Sequence, residues 1–152
     1  MARNALEAWE SLFRAQVRVL RVLHHEFPED ELTFNEYDVM FTIAREPERQ
    51  IRLRDLTRNV LISQSSVSRL VDRLVARGLV AKCSDPSDAR GAVVSLTDAG
   101  LTMFRTVATE HSAAINRVVG GALTDAELDQ LRAITHKLQA ATPDVAPNSA
   151  KP

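Results

Sequence analysis

The sequence predicts a mainly α-helical protein with one small β-hairpin. Three observations carry that reading. Apolar residues recur at helical spacing, as at Leu6, Trp9, Phe13, Val17, Leu20 and Leu23. Capping boxes punctuate the chain: "TFNE" and "TDAE" place Thr33 and Thr124 three residues before Glu36 and Glu127. One stretch, "CSDPSDARGAVVSLT" from Cys83 to Thr97, switches to Val- and Leu-rich arms around a polar loop, with Arg90 near its tip.

Taken in order, the first helix runs from Asn4 to about Glu26, and Pro28 with the acids after it ends it. Thr33 opens a second helix with Phe34, Tyr37, Val39, Met40, Phe41 and Ile43 largely buried, and Pro47 closes it. A short third helix spans Leu53 to Val60. "LISQ" turns the chain, and Ser63 caps a fourth helix reaching Arg77, with Gly78 at the left-handed position after its end. "LVAKC" and "AVVSL" are the hairpin strands. Thr97 caps a fifth helix through about Val119, "GG" at Gly120 and Gly121 breaks it, and Thr124 opens the last helix with Leu128, Leu131, Ile134 and Leu138 on one side. The tail from Thr142 holds three prolines and is expected to be disordered.

Composition narrows the function. The 152 residues are 45% hydrophobic, enough for a core, and no apolar run approaches the roughly 18 residues that span a membrane. The first residues carry charges throughout and lack a signal-peptide core, so a cytoplasmic location is expected. Cys83 is the single cysteine, which excludes an intramolecular disulfide and argues against a thiolate metal cluster. Net charge is −1, but it is unevenly spread. Ten basic and six acidic residues lie between Arg45 and Gly91, against nine and fourteen in the rest. A basic middle suits a polyanion, although a solvated charged face explains such counts about as well.

The fourth helix is the most informative element. On a helical wheel, Leu70, Val71, Leu74 and Val75 fall within about 80° of Val67, at about 100° per residue. The opposite face holds Ser65, Arg69 and Asp72, flanked by Ser68 and Arg73, and the segment from Ser63 to Arg77 has no Lys or Glu. An ordinary solvated helix face favours Glu and Lys. Small hydroxyl residues with Gln64 and arginines suit a recognition helix that enters a DNA major groove, its first turns reaching base edges. The Leu53–Val60 helix would brace it. Ser63 is read as a cap. A hairpin directly after such a pair makes a winged helix-turn-helix. Arg90 could then enter the minor groove beside it, with Asp88 pairing with its guanidinium. A plain surface turn shaped by Asp85-Pro86 and Gly91 is the alternative.

The stretch from Ser63 to Gly100 resembles the MarR family of bacterial transcription regulators. The family's wing pattern "DxRxxxxxLT" is matched by Asp88, Arg90, Leu96 and Thr97, and "SVSRLVDRLVARGLV" is similar to its recognition helix. The helical organisation extends the likeness to about residues 5–140. The resemblance implies a homodimer with interleaved terminal helices, bound to a pseudo-palindromic double-stranded DNA operator and often released by a small ligand. It implies DNA contacts by Ser65, Ser66, Ser68, Arg69 and Arg73 together with Gln64, a wing contact by Arg90, and support from Asp88. A small aromatic ligand would be lined by Trp9, Phe13, Tyr37, Phe41 and His111, though each also suits plain core. The domains expected are a dimerisation helix at 1–32, the winged region at 33–97, dimerisation helices at 98–141 and a tail at 142–152. Many helix-turn-helix units place Ala in the brace helix and Gly in the turn. Here those places hold Thr57 and Leu61, so a different turn shape is expected.

The remaining candidates have blander readings. Cys83 could sense peroxide, but on a wing strand a small half-buried hydrophobe is the expected role. His24 and His25 are adjacent and point about 100° apart on a helix, so they cannot readily share a metal. No cofactor motif, phosphate loop or catalytic constellation is present, so the protein is not expected to be an enzyme. The leading function is a sequence-specific DNA-binding regulator, most often a repressor in such families. The alternative is a winged-helix protein-interaction module that does not touch DNA.

Overall fold

A computed structural model describes residues 2–60 and 62–145. The chain forms two compact units. One, the winged unit, comprises Glu29–Ala108 with residues 143–145. The other, the helical unit, comprises the chain up to Pro28 and Thr109–Thr142.

In the winged unit, α2 (Phe34–Ala44) begins at Thr33, whose Oγ1 accepts from the Glu36 N–H while Glu36 reaches back to the Thr33 N–H at 2.9 Å. The capping box read from the sequence is therefore formed. Within the short turn at Pro47–Arg49, Glu48 and Arg49 take left-handed backbone angles and lead the chain into β1 (Gln50–Arg52). This strand was not expected. It is three residues long and follows two residues whose φ > 0 no sequence signal announces. α3 (Leu53–Arg58) and α4 (Gln64–Ala76) follow, with Ser63 capping α4 through the Ser66 N–H. Leu61, the unusual turn residue, lies outside the described residues.

α4 ends in a Schellman motif. Gly78 sits at φ +71°, its N–H bonds the Val75 carbonyl, and the Leu79 N–H bonds that of Leu74. The hairpin of β2 (Val80–Asp85) and β3 (Asp88–Leu96) then joins β1 in an antiparallel sheet of order β1-β3-β2. β3 is longer than expected, because Ser84 pairs with Ala92 and Asp85 with Asp88 across a bulge. Arg90 therefore lies on a strand and not in the loop. The first residues of α5 (Asp98–Ile115) complete the unit. Thr97 Oγ1 accepts from the Gly100 N–H at 3.0 Å and donates to the Gly78 carbonyl at 2.7 Å, tying the start of α5 to the end of α4. Leu32, Met40, Ile43, Leu56, Val67, Val71, Leu74 and Val94 are fully buried and form the core.

The helical unit holds α1 (Ala2–His25), the rest of α5 and α6 (Asp125–Ala141). α5 does not run unbroken to Val119. Its last turn, Asn116–Gly120, is a π-turn, and Gly121 ends it with its N–H on the Asn116 carbonyl. Thr124 and Glu127 form the second capping box. Leu23, Phe27, His111 and Ala114 are buried. Leu6, Trp9, Phe13, Leu131, Ile134 and Leu138 are 41–65% exposed. No described helix is long and apolar enough to cross a membrane. Beyond Val145 the tail lies outside the described residues.

Candidate DNA-binding surface

The exposed face of α4 is built as its sequence pattern requires. Val67, Leu70, Val71 and Leu74 are buried, which turns Ser65 and Arg69 outward. Among the described residues neither the Arg69 nor the Arg90 guanidinium has a protein partner, and both residues are exposed. Around this centre the side chains divide. Gln64 and Ser68 lie toward the wing and line a groove of about 320 Å³, shared with Arg54 of α3, Lys82 of β2, and Asp88 and Arg90 of β3. Ser66 and Arg73 lie on the opposite edge. Ser63 Oγ donates to Ser66 Oγ at 2.9 Å and lies 3.2 Å from Ser65 Oγ, so the first-turn hydroxyls gather at the cap.

Arg73 is engaged within the protein. Its Nε is 4.0 Å from Oε1 of Glu36, whose side chain is only 8% exposed. Arg77 completes the group, with Nη1 3.4 Å from Glu36 Oε2 and Nη2 donating to the Glu31 carbonyl at 2.6 Å. Sequence reasoning saw Glu36 only as half of a capping box. The i,i+4 spacing of Arg73 and Arg77 was the available signal for an anion beside α4.

Asp88 supports Arg90 differently from expectation. Its Oδ1 accepts from the Arg90 backbone N–H at 3.0 Å, and no ion pair joins the two side chains. Asp85 carries the charge pairing in the wing. The bulge at Ser84 and Asp85 turns its carboxylate inward, where Oδ2 is 2.9 Å from Arg52 Nε. Oδ1 accepts from the Ser87 N–H at 2.9 Å and from its hydroxyl at 2.8 Å. Arg52 Nη2 donates to Ser87 Oγ at 2.7 Å. The Ser87 amide and hydroxyl, then the Arg52 and Arg54 charges, hold the Asp85 carboxyl below its usual range. Lys82 Nζ bonds Asp72 at 2.9 Å, joining β2 to α4. No local pattern in the sequence signals the Arg52 contact, because it depends on β1, a three-residue strand set by its distant pairing with β3.

Cys83 is exposed, not half-buried. β2 is an edge strand, and its residues from Ala81 to Ser84 are all exposed.

The five residues expected at a ligand site fall into separate groups. In the winged unit, Tyr37 stacks on Phe41 (centroids 6.2 Å apart) and on Phe104 (5.4 Å), with Arg45 over the Phe41 ring. Burial raises the Tyr37 hydroxyl pKa, helped by the Asp38 charge, and burial alone raises that of Asp38. In the helical unit, Trp9 and Phe13 lie 6.0 Å apart on the exposed side of α1, and His111 meets Phe27 edge-on at 5.2 Å. An open hollow of about 510 Å³ near Glu31, Asp98 and Met103 contains none of the five.

Residues 30–91 match the sequence model of the MarR family. No curated protein matches the chain in sequence. Among solved structures the chain is similar to Sco3205, a MarR family transcriptional regulator from Streptomyces coelicolor in complex with DNA. Identity is 27%, over 98% of this chain and 94% of that chain, with a TM-score of 0.76. It is similar to BpsR of Bordetella bronchiseptica, whose DNA binding is regulated by 6-hydroxynicotinic acid, at 25% identity over 88% and 98% of the two chains and a TM-score of 0.72. It is also similar to the PcaV transcriptional regulator of Streptomyces coelicolor, solved with its natural ligand. There the identity is 25%, the coverage 86% and 92%, and the TM-score 0.66.

Proposed function

We propose that this chain, a winged helix-turn-helix protein of the MarR family, is a sequence-specific DNA-binding regulator that acts as a homodimer on a pseudo-palindromic operator. One observation carries the reading: the exposed Ser65–Arg69 face of α4 adjoins a groove walled by Lys82 and Arg90 of the wing, and both the Arg69 and Arg90 guanidiniums are unspent. Two free arginines on adjoining elements suit a duplex, one in the major groove and one at the backbone or minor groove. Ser65 and Arg69 are the proposed base readers, with Gln64, Ser66 and Ser68 beside them. Arg73 contributes at the edge.

The exposed apolar residues of the helical unit support the proposed self-association. Leu6, Trp9 and Phe13 of α1 and Leu131, Ile134 and Leu138 of α6 form apolar surface of the kind that marks interfaces. A small aromatic acid is the proposed effector. The small-molecule regulation of BpsR is the ground for that class. Repression is the proposed sign, and the cytoplasm the place where such a DNA partner is met.

The test is selection of duplexes from a random pool, followed by titration at several salt concentrations. A single enriched, two-fold-symmetric sequence is expected, with affinity falling steeply as salt rises. Absence of binding to any duplex at low salt would favour a protein-interaction module instead.

A further inference from the structure

We infer that Arg52, Asp85 and Ser87 form a latch that sets the angle of the wing, which makes Arg52 a positioning residue and not a phosphate contact. The inference rests on the DNA-binding reading above for its consequence, though not for its geometry. A two-stranded ribbon is marginal alone in water. β1 steadies the base of this one, pairing Gln50, Ile51 and Arg52 with Ser95, Val94 and Val93. Beyond Val93 the outer wing, from Ser84 to Ala92, receives no backbone bond from β1. What reaches it is the Arg52 side chain.

The three residues close a ring of hydrogen bonds. Arg52 Nε meets Asp85 Oδ2, Arg52 Nη2 donates to Ser87 Oγ, and that hydroxyl donates onward to Asp85 Oδ1. Ser87 uses one donor and one acceptor, so the ring is chemically complete. Asp85 is 4% exposed at its side chain, the lowest among the described ion-pairing residues of the winged unit. A buried charge held this way tolerates loss of its partner poorly. Arg52 also occupies the N-cap position of α3, the brace for α4. One guanidinium therefore couples the start of the brace helix to the turn of the wing, and the position of Arg90 relative to α4 is fixed through it. With Nε and Nη2 both committed, Arg52 lacks the free fork that Arg69 and Arg90 keep.

Asp85→Asn tests this by sign. The substitution keeps the shape and removes one negative charge beside a polyanion, so electrostatics alone predicts tighter DNA binding. The latch predicts weaker binding, about tenfold per loosened wing, as expected for losing a hydrogen bond to a charged group. Hydroxyl-radical protection in the minor groove should be lost, while methylation protection in the major groove persists. Arg52→Lys keeps the charge and loses the fork; it should weaken binding as Asp85→Asn does. If Arg52 were a phosphate contact, Arg52→Lys would be nearly neutral. A DNA-free readout separates the two levels of the argument: amide exchange at Ser87 and Arg90 should accelerate in Asp85→Asn. Ser87→Ala should show the same changes more weakly, and it decides the matter if Asp85→Asn does not fold. Tighter or unchanged binding with unchanged exchange overturns the latch. Accelerated exchange in a protein that binds no duplex supports the latch and overturns the DNA reading.

Discussion

At the residue scale, two arginines with no protein partner should fail in different ways. Arg69 faces outward from the middle of α4, so Arg69→Ala should cost about 1–3 kcal/mol and relax preference at one operator position per half-site. Arg90 lies on β3, beside the groove. Arg90→Ala should weaken binding across sequences and reduce the log–log salt slope of a dimer by roughly two, at about 0.9 per phosphate contact. Titration of both variants against the selected operator and a scrambled duplex checks this. Normal binding by Arg90→Ala would reduce the wing to a structural turn. His111 makes a separate prediction. Burial, then the charge of His24, lowers its pKa below the usual value. The unfolded chain therefore takes up a proton first as pH falls. The contribution of His111 to stability is complete above about pH 6.5 and is lost as pH drops through the lowered folded value. Thermal melts between pH 7.5 and 5 should fall more steeply for the wild type than for His111→Gln.

At the element scale, the join between α4, the hairpin and α5 is set by close approach. A Cβ built on Gly100 would stand 1.9 Å from the Leu79 carbonyl oxygen, an atom of the backbone that cannot swing aside. Gly100→Ala should therefore destabilise the fold by about 1–3 kcal/mol, the range for overpacked sites, as measured by urea unfolding. Gly78→Ala meets no neighbour within 4 Å but must hold φ +71°, so it should cost less, about 1 kcal/mol. An equal loss at both positions would mean that conformation, and not contact, dominates the join.

At the scale of the whole molecule, the exposed apolar residues of α1 and α6 are the surface on which the proposed homodimer is tested. Ile134 is 65% exposed and Leu138 50%. Ile134→Asp with Leu138→Asp should leave a folded chain that sediments as a monomer and binds operator far more weakly, since one half-site is then held at a time. A wild-type chain that is monomeric at micromolar concentration would exclude the homodimer. A double variant that remains dimeric would move the interface to α1, where Leu6, Trp9 and Phe13 provide the other exposed apolar stripe.

What the sequence determined by itself was local. Both capping boxes, the Ser63 cap, the glycine after α4 and the buried stripe of α4, except Val75, which is exposed, were legible, because each is fixed by residues within a turn or two of one another. The exposed face with Ser65 and Arg69 was legible for the same reason: helical period assigns it once Val67 and Val71 are known to be core. Tertiary structure alone decided the rest. β1 forms because Ile51 pairs with Val94, far along the chain, and no local preference of three residues announces that. Asp85 and not Asp88 takes the charge pair of the wing, because a bulge rotates it inward toward an arginine 33 positions earlier. Glu36 serves as a cap and also as the anion for Arg73 and Arg77, because folding brings α2 beside α4. Periodicity records which side of an element is buried. It does not record which distant charge that side will meet, since that depends on where the chain returns.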